Sequence, residues 1–225
     1  MKLTLSNSLS SNKMPKSSLW LPTSEGSAVA WYKAGAGLTL TGVSVDSWEN
    51  QINSNYYMLQ DTDTEKPTFS NIDNSIYFDG GDFLQTTGQI NLESEFTIGI
   101  RINFDGNFNG TMLGDNTTAN EMFKIQENDK IRLKNANGSR DFDLSTGVFG
   151  DDYLVLSRNA SNIISLYQNG TLVENETLGN DILIDTIGTK YIDTNKITGY
   201  IYEIMIFNSS SAELTNNINT RLATL

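Results

Sequence analysis

Between Asp152 and Val173 the chain reads as three short strands and two turns, a pattern that only an antiparallel sheet accommodates. Tyr153-Leu154-Val155-Leu156-Ser157-Arg158 is rich in residues that suit a pleated, half-buried surface. Asn159-Ala160-Ser161-Asn162 interrupts the run with side chains that hydrogen-bond their own backbone. Ile163 to Gln168 forms the return strand. Asn169-Gly170 follows, a dipeptide that tolerates the two positive φ angles of a type I′ hairpin turn. Thr171-Leu172-Val173 then opens a third strand, so the stretch predicts a meander.

The same logic extends along the chain. Phe96 to Phe104 alternates with period two, placing Phe96, Ile98, Ile100, Ile102 and Phe104 on one face and Thr97, Gly99, Arg101 and Asn103 on the other. Short strands separated by Gly, Asn and Asp turns recur on both sides of it, the pattern of a sandwich. Tyr200 to Phe207 is apolar on both faces, which predicts a strand in mid-sheet. Ser210 and Glu213 fit a capping box, and Leu214, Ile218, Leu222 and Leu225 fall on one helical face, so a short helix is expected after the last strand. At 225 residues the chain suits one all-β domain, and it is long enough to be stable with no disulfide.

Composition removes several functions. With no Cys and no His, thiol nucleophiles, thiolate zinc sites, imidazole bases and a Ser-His-Asp triad are excluded. A formal net charge of −12 argues against nucleic acid and against anionic membrane surfaces as partners. No apolar run is long enough to span a membrane, and the first residues lack the apolar core of a secretory signal.

Several segments resemble the laminin-G-like domains of the concanavalin A-like lectin/glucanase superfamily. The central hairpin Leu166-Tyr167-Gln168-Asn169-Gly170-Thr171-Leu172-Val173 after Arg158 is one. The opening Ala30-Trp31-Tyr32, the isolated Trp48, Lys66-Pro67-Thr68-Phe69 and Phe78-Asp79-Gly80-Gly81-Asp82-Phe83-Leu84 follow in the family's order. Gly199-Tyr200-Ile201-Tyr202-Glu203-Ile204 is similar to its closing strand. The likeness covers about residues 28 to 225 and implies an all-β, concanavalin A-like jelly-roll sandwich of antiparallel strands with a short C-terminal helix. Residues 1 to 27 would form an N-terminal arm.

The superfamily contains glycoside hydrolases, which need two carboxylates placed about the scissile bond. The strand spacing that would put them on one face is absent, since Glu93-Ser94-Glu95 is mis-spaced and Asp61 to Glu65 reads as a loop. A non-enzymatic protein is therefore expected. No cofactor is certain. Calcium is possible, because Asp, Asn and Glu in loops supply the oxygens it takes and laminin-G-like domains often hold it at one end of the sandwich. The candidate ligands are Asp115, Asn116 and Glu121, with Asp79 and Asp82 as a second cluster; the other reading of the latter pair is that they form the turn itself. Trp31, Trp48, Tyr56 and Tyr57 are candidates for stacking on sugar rings, or else core residues. Glu203 sits among apolar neighbours and needs a partner, for which Arg158 and Arg101 are candidates.

The arm is polar, yet it carries Leu3, Leu5, Leu19, Trp20 and Leu21. Burial against a partner would explain such a patch. The expectation is an assembly protein, of the bacteriophage capsid-decoration or fibre type, located on a virion and held there by the arm. It would contact other virion proteins, form homo-oligomers and bind a glycan or host surface. The alternative is an extracellular carbohydrate-binding module of a secreted bacterial protein.

Overall fold

A computed structural model describes residues 20 to 225, apart from 106–108, 119–122, 148–149, 191–193 and the side chain of residue 87. Its strands are β1 (Ala28–Lys33), β2 (Leu38–Thr41), β3 (Ser44–Trp48), β4 (Met58–Leu59), β5 (Thr68–Ser70), β6 (Ser75–Asp79), β7 (Leu84–Leu92), β8 (Phe96–Phe104) and β9 (Gly110–Gly114). They continue with β10 (Phe123–Glu127), β11 (Lys130–Asn135), β12 (Gly138–Asp143), β13 (Gly150–Arg158), β14 (Ile163–Gln168), β15 (Thr171–Thr177), β16 (Ile182–Ile187) and β17 (Thr198–Phe207), followed by helix α1 (Ala212–Leu222). All their pairings are antiparallel. One layer runs β15–β14–β13–β8–β17, and the far edge of β17 is shared by β1 and β6, with β5 beyond. The other runs β12–β11–β10–β9–β16–β7–β4–β3–β2. The pairing of Ser44 with Thr68 joins the layers. This is the expected jelly-roll sandwich.

The alternation in β8 carries the core. Phe96, Ile98, Ile100 and Ile102 are wholly buried. Across the first layer, Ile100 lies between Leu154 and Ile204, and Ile98 between Leu156 and Ile206. These rows meet Ile90, Leu92, Ile184, Phe123, Ile125 and Phe142 of the second layer in one continuous cluster. The Asn169-Gly170 turn takes φ values of 50° and 79°, as a type I′ turn requires.

Helix α1 packs on the outside of the first layer, forming a second, smaller core of Leu214, Ile218 and Leu222 with Val155, Met205 and Phe207. Its N-cap is Ser211, whose hydroxyl accepts from the Leu214 amide at 3.0 Å, one residue later than the capping box suggests. Ser210 instead pairs with the Ser157 hydroxyl at 3.0 Å. The helix comes this close because β8 has no side chain at Gly99. A Cβ there would stand 2.3 Å from Ile218 Cγ2 and 3.2 Å from Leu222 Cδ1.

Beneath α1 lies Glu203, wholly buried. Its partner is neither Arg158 nor Arg101 but Arg221 of the helix, whose Nε donates to Glu203 Oε1 at 2.6 Å. The Trp31 indole N–H donates to the same oxygen at 2.5 Å, and the Arg221 guanidinium covers the Trp31 ring at 4.9 Å. Arg158, also buried, spends its donors on the carbonyls of Ser94, Leu178 and Asn180. The true pair forms only once the helix folds back over β17.

Of the expected arm, Leu3, Leu5 and Leu19 lie outside the described residues. Trp20 stands against Phe207 of its own chain at 6.1 Å between ring centres, and its indole N–H donates to Glu25 at 2.7 Å. Leu21 is 41% exposed. The Asn208 amide bonds the Ser27 carbonyl at 2.9 Å, so the stretch from Trp20 to Ser27 rests on the sandwich.

Two substitutions check this packing. Gly99→Ala forces α1 outward and is expected to cost about 1–3 kcal/mol, largely recovered by adding Ile218→Ala; thermal melts of the single and double variants measure it. Arg221→Leu strands a buried carboxylate and is expected to cost about 3–5 kcal/mol, while adding Glu203→Leu restores most of that stability. Denaturant midpoints decide between additive and compensating behaviour.

Candidate functional site

Helix α1 covers only one half of the outer face of the first layer. The other half is open, and strand register sets its side chains in rows. Tyr77 on β6 lies opposite Tyr200 on β17, which lies opposite Asn103 on β8, which lies opposite Asp151 on β13. The Tyr77 and Tyr200 rings are 4.7 Å apart at 40°. In the next row Lys33, Glu203, Arg101 and Tyr153 are opposed.

A bulge completes the surface. Ile201 pairs with Ile102 and Glu203 with Arg101, so Tyr202 is an extra residue on β17. Inward packing resumes at Ile204, and Tyr202 is left on the outer face. Its carbonyl is held by the Ala34 amide at 2.9 Å. Its ring lies 5.8 Å from the Arg101 guanidinium, and the Asn103 side chain is near enough to act on its hydroxyl. Burial, and then the Asp151 carboxylate, raise the Tyr202 hydroxyl above its ordinary pKa, so it stays a neutral phenol. Tyr77 is raised in the same direction, by burial and by Asp105.

Between these strands and the end of the helix lies a cavity of about 600 Å³, lined by Lys33, Asp73, Asn74, Arg101, Asp151 and Tyr202 among others. Arg101 is fixed within it. Its Nε donates to Asp151 Oδ1 at 3.0 Å, Nη2 to Asp151 Oδ2, and Nη1 to the Leu222 carbonyl at 2.5 Å. The rim is formed where Asn74 approaches Gly35, whose φ of 80° and absent Cβ both favour glycine; a Cβ there would stand 2.7 Å from Asn74 Oδ1. The arrangement offers aromatic faces, a phenol, an amide and a held ion pair. That set fits an uncharged polyhydroxylated ligand.

The residues singled out from sequence fall elsewhere. Trp48 is wholly buried, with its indole N–H on the Lys33 carbonyl at 3.1 Å and its ring 5.6 Å from Tyr32. It belongs to the core and offers a sugar no face, which corrects its place among the stacking candidates. One face of Trp31 is taken by Arg221. Tyr56, at φ 57°, packs beside Gly88 and accepts the Tyr32 hydroxyl on its carbonyl. Tyr57 is 43% exposed and lines a second cavity, of about 420 Å³, with Ser47, Glu49, Asn50, Asn53 and Ser54. Asn50 holds that loop by accepting from the Trp31 and Ile52 amides and donating to the carbonyls of Val29 and Asn55, each at 3.0 Å.

The two acidic clusters are networks of protein donors. Asp115 is wholly buried and accepts from Gln89 Nε2, the Thr117 amide and hydroxyl, and the Thr118 hydroxyl at 2.5 to 2.9 Å. The Asn116 amide donates to Asp185 at 2.7 Å, a buried residue on β16 that sequence spacing did not bring in. Glu121 lies outside the described residues. Among the described residues no three acidic groups converge as metal ligands would. Asp79 and Asp82 build their turn: the Asp79 amide donates to Asp82 at 2.9 Å and the Gly81 amide to Asp79 at 2.7 Å.

Asp82 has a measurable consequence. Burial pushes its carboxyl up to about 6 from an ordinary 3.8, against the weaker pull of the Asp79 amide and Lys196, and with Asp79 adding to the rise. The folded state therefore keeps a proton that the unfolded chain has already lost, and stability falls as pH climbs from about 4 to about 6. Asp82→Asn keeps the acceptor and removes the titration. Relative to wild type, the variant is expected to gain roughly 1–3 kcal/mol between pH 4 and pH 7, read from urea midpoints at each pH.

No family model matches this chain, and no curated protein matches it. Solved structures do. Domain 4 of AbnA, a GH43 extracellular arabinanase from Geobacillus stearothermophilus in complex with arabinotriose, superposes with a TM-score of 0.56 at 13% identity, covering 87% of this chain and 98% of that one. The binding domain of botulinum neurotoxin DC in complex with SialylT gives 0.54 at 15% identity, covering 88% and 51%. That of botulinum neurotoxin serotype D gives 0.52 at 16%, covering 88% and 52%. The chain thus spans about half the length of the neurotoxin binding domains it matches. At these identities the likeness is one of fold.

Proposed function

We propose that this sandwich is a carbohydrate-binding module, and that it binds its glycan on the open half of the outer sheet face rather than hydrolysing it. The observation that carries the reading is the meeting of Tyr77, Tyr200 and Tyr202 with Asn103, Asp151 and Arg101 on one side of four strands. A sugar ring has an apolar C–H face and an equator of hydroxyls. Tyrosine rings bury the first, and planar amide and carboxylate groups take up the second. The resemblance to laminin-G-like domains supports the same class of ligand, as does a fold shared with a domain seen with arabinotriose.

The docking role ascribed to the arm, residues 1 to 27, is a separate reading. Attachment to a virion, homo-oligomer formation and calcium binding add nothing to the tyrosine face and are not needed by it.

The test is a glycan array followed by affinity electrophoresis in the polysaccharides that score. Tyr200→Ala and Tyr202→Ala are each expected to weaken binding by at least about tenfold, or about 1.4 kcal/mol, without lowering the melting temperature appreciably. Tyr57→Ala, on the second cavity, is expected to bind as wild type. Loss on Tyr57→Ala with retention in the Tyr200/Tyr202 double variant would move the site to the Asn50 loop.

A further inference from the structure

Resting on that reading, we propose that the tyrosine face selects neutral glycans over acidic ones, and that Asp151 is the residue that sets the preference. Sites that grip a carboxylate or sulfate do so with a free guanidinium fork or clustered ammonium groups. Here the fork is spent. All three nitrogens of Arg101 are engaged, two on Asp151 and the third on the Leu222 carbonyl. The Arg101 side chain is 12% exposed and that of Asp151 is 46% exposed, so a ligand meets the carboxylate and not the cation.

The charges around the cavity point the same way. Asp73 and Asp151 line it with Lys33 and Arg101, and Asp105 stands close enough to act on Tyr77. Two carboxylates and two cations thus line the cavity, with Asp151 and Arg101 paired to each other, and Asp105 adds a further negative charge near Tyr77, on a chain of net charge −12. Bringing a uronate or sialate carboxylate in beside Asp151 sets two anions together where Arg101 is already spent and Lys33 is the one other cation among the described residues of the lining. A neutral sugar instead donates its hydroxyls to the lone pairs that Asp151 has left over from Arg101, while Tyr200 and Tyr202 take its C–H face. Discrimination thus comes from a built-in repulsion as much as from attraction.

Removing the carboxylate reverses the logic. Asp151→Ala leaves the Arg101 fork anchored by Leu222 and free on its other two nitrogens, which is the geometry an acidic sugar needs. Asp151→Asn makes a smaller version of the same change while preserving shape.

The experiment compares the full chain and both variants on neutral polysaccharides (debranched arabinan, β-1,4-galactan, xylan) and acidic ones (polygalacturonate, polysialate), at low and at high salt. Wild type is expected to bind at least one neutral polymer, with little salt dependence, and the acidic ones at least about tenfold more weakly. Asp151→Ala is expected to gain at least about tenfold toward an acidic polymer, with the gain lost in high salt. Asp151→Asn, folded by its melting curve, should move in the same direction. Wild-type preference for polygalacturonate or polysialate overturns the inference, as does unchanged discrimination in both folded variants. Binding to neither class sinks the glycan reading itself, and this one with it.

Discussion

The absence of a side chain at Gly99 governs how this molecule is arranged. A sheet face as apolar as Val155, Met205 and Phe207 must be covered, and α1 covers it only because β8 presents bare backbone where Ile218 and Leu222 press down. The close fit also sets where the helix stops. Beyond Leu222 the same face turns from apolar to tyrosine, asparagine and aspartate, and there it meets solvent. Cover and opening are thus two parts of one face, divided at the row where Arg101 reaches back to the Leu222 carbonyl.

That division explains two features that are puzzling in isolation. Glu203 is a carboxylate in the interior of a strand, but it is the point at which helix, β1 and β17 are tied together, through Arg221 and the Trp31 indole. The bulge at Tyr202 lies one residue before it. An unbulged β17 would turn either Glu203 or Tyr202 toward the sandwich interior, and the extra residue lets both serve the outer face.

The fold was legible in the sequence because its signals are local. Phe96 to Phe104 alternates, Asn169-Gly170 can only turn, and the meander around them needs no distant partner. The site was not, because its residues come from four strands and meet only through register. Tyr77, Tyr200 and Arg101 each read as an ordinary outward residue of a half-buried strand. The tryptophans drew attention by size, and size is what put Trp48 in the core. The partner of Glu203 was misassigned for a related reason: Arg101 lies on the strand beside it and Arg158 one strand further, whereas Arg221 arrives from a helix whose docking the sequence does not specify. Asp185 was missed because a buried carboxylate in Ile182–Ile187 leaves the alternation of its neighbours unchanged.

The position of β17 has a consequence for how the chain comes to be folded. This strand is the seam of its layer, bonded to β8 on one edge and to both β1 and β6 on the other, yet it follows all of them in sequence. While the chain is being synthesised, β1 and β6 must wait with an edge unsatisfied until residues 198–207 leave the ribosome. Contacts of such long sequence separation form slowly, and unpaired edges are the usual route to association between unfinished chains. β1 ends on Lys33 and β6 on Asp79, and a charge at the end of an unpaired edge opposes such association in that interval.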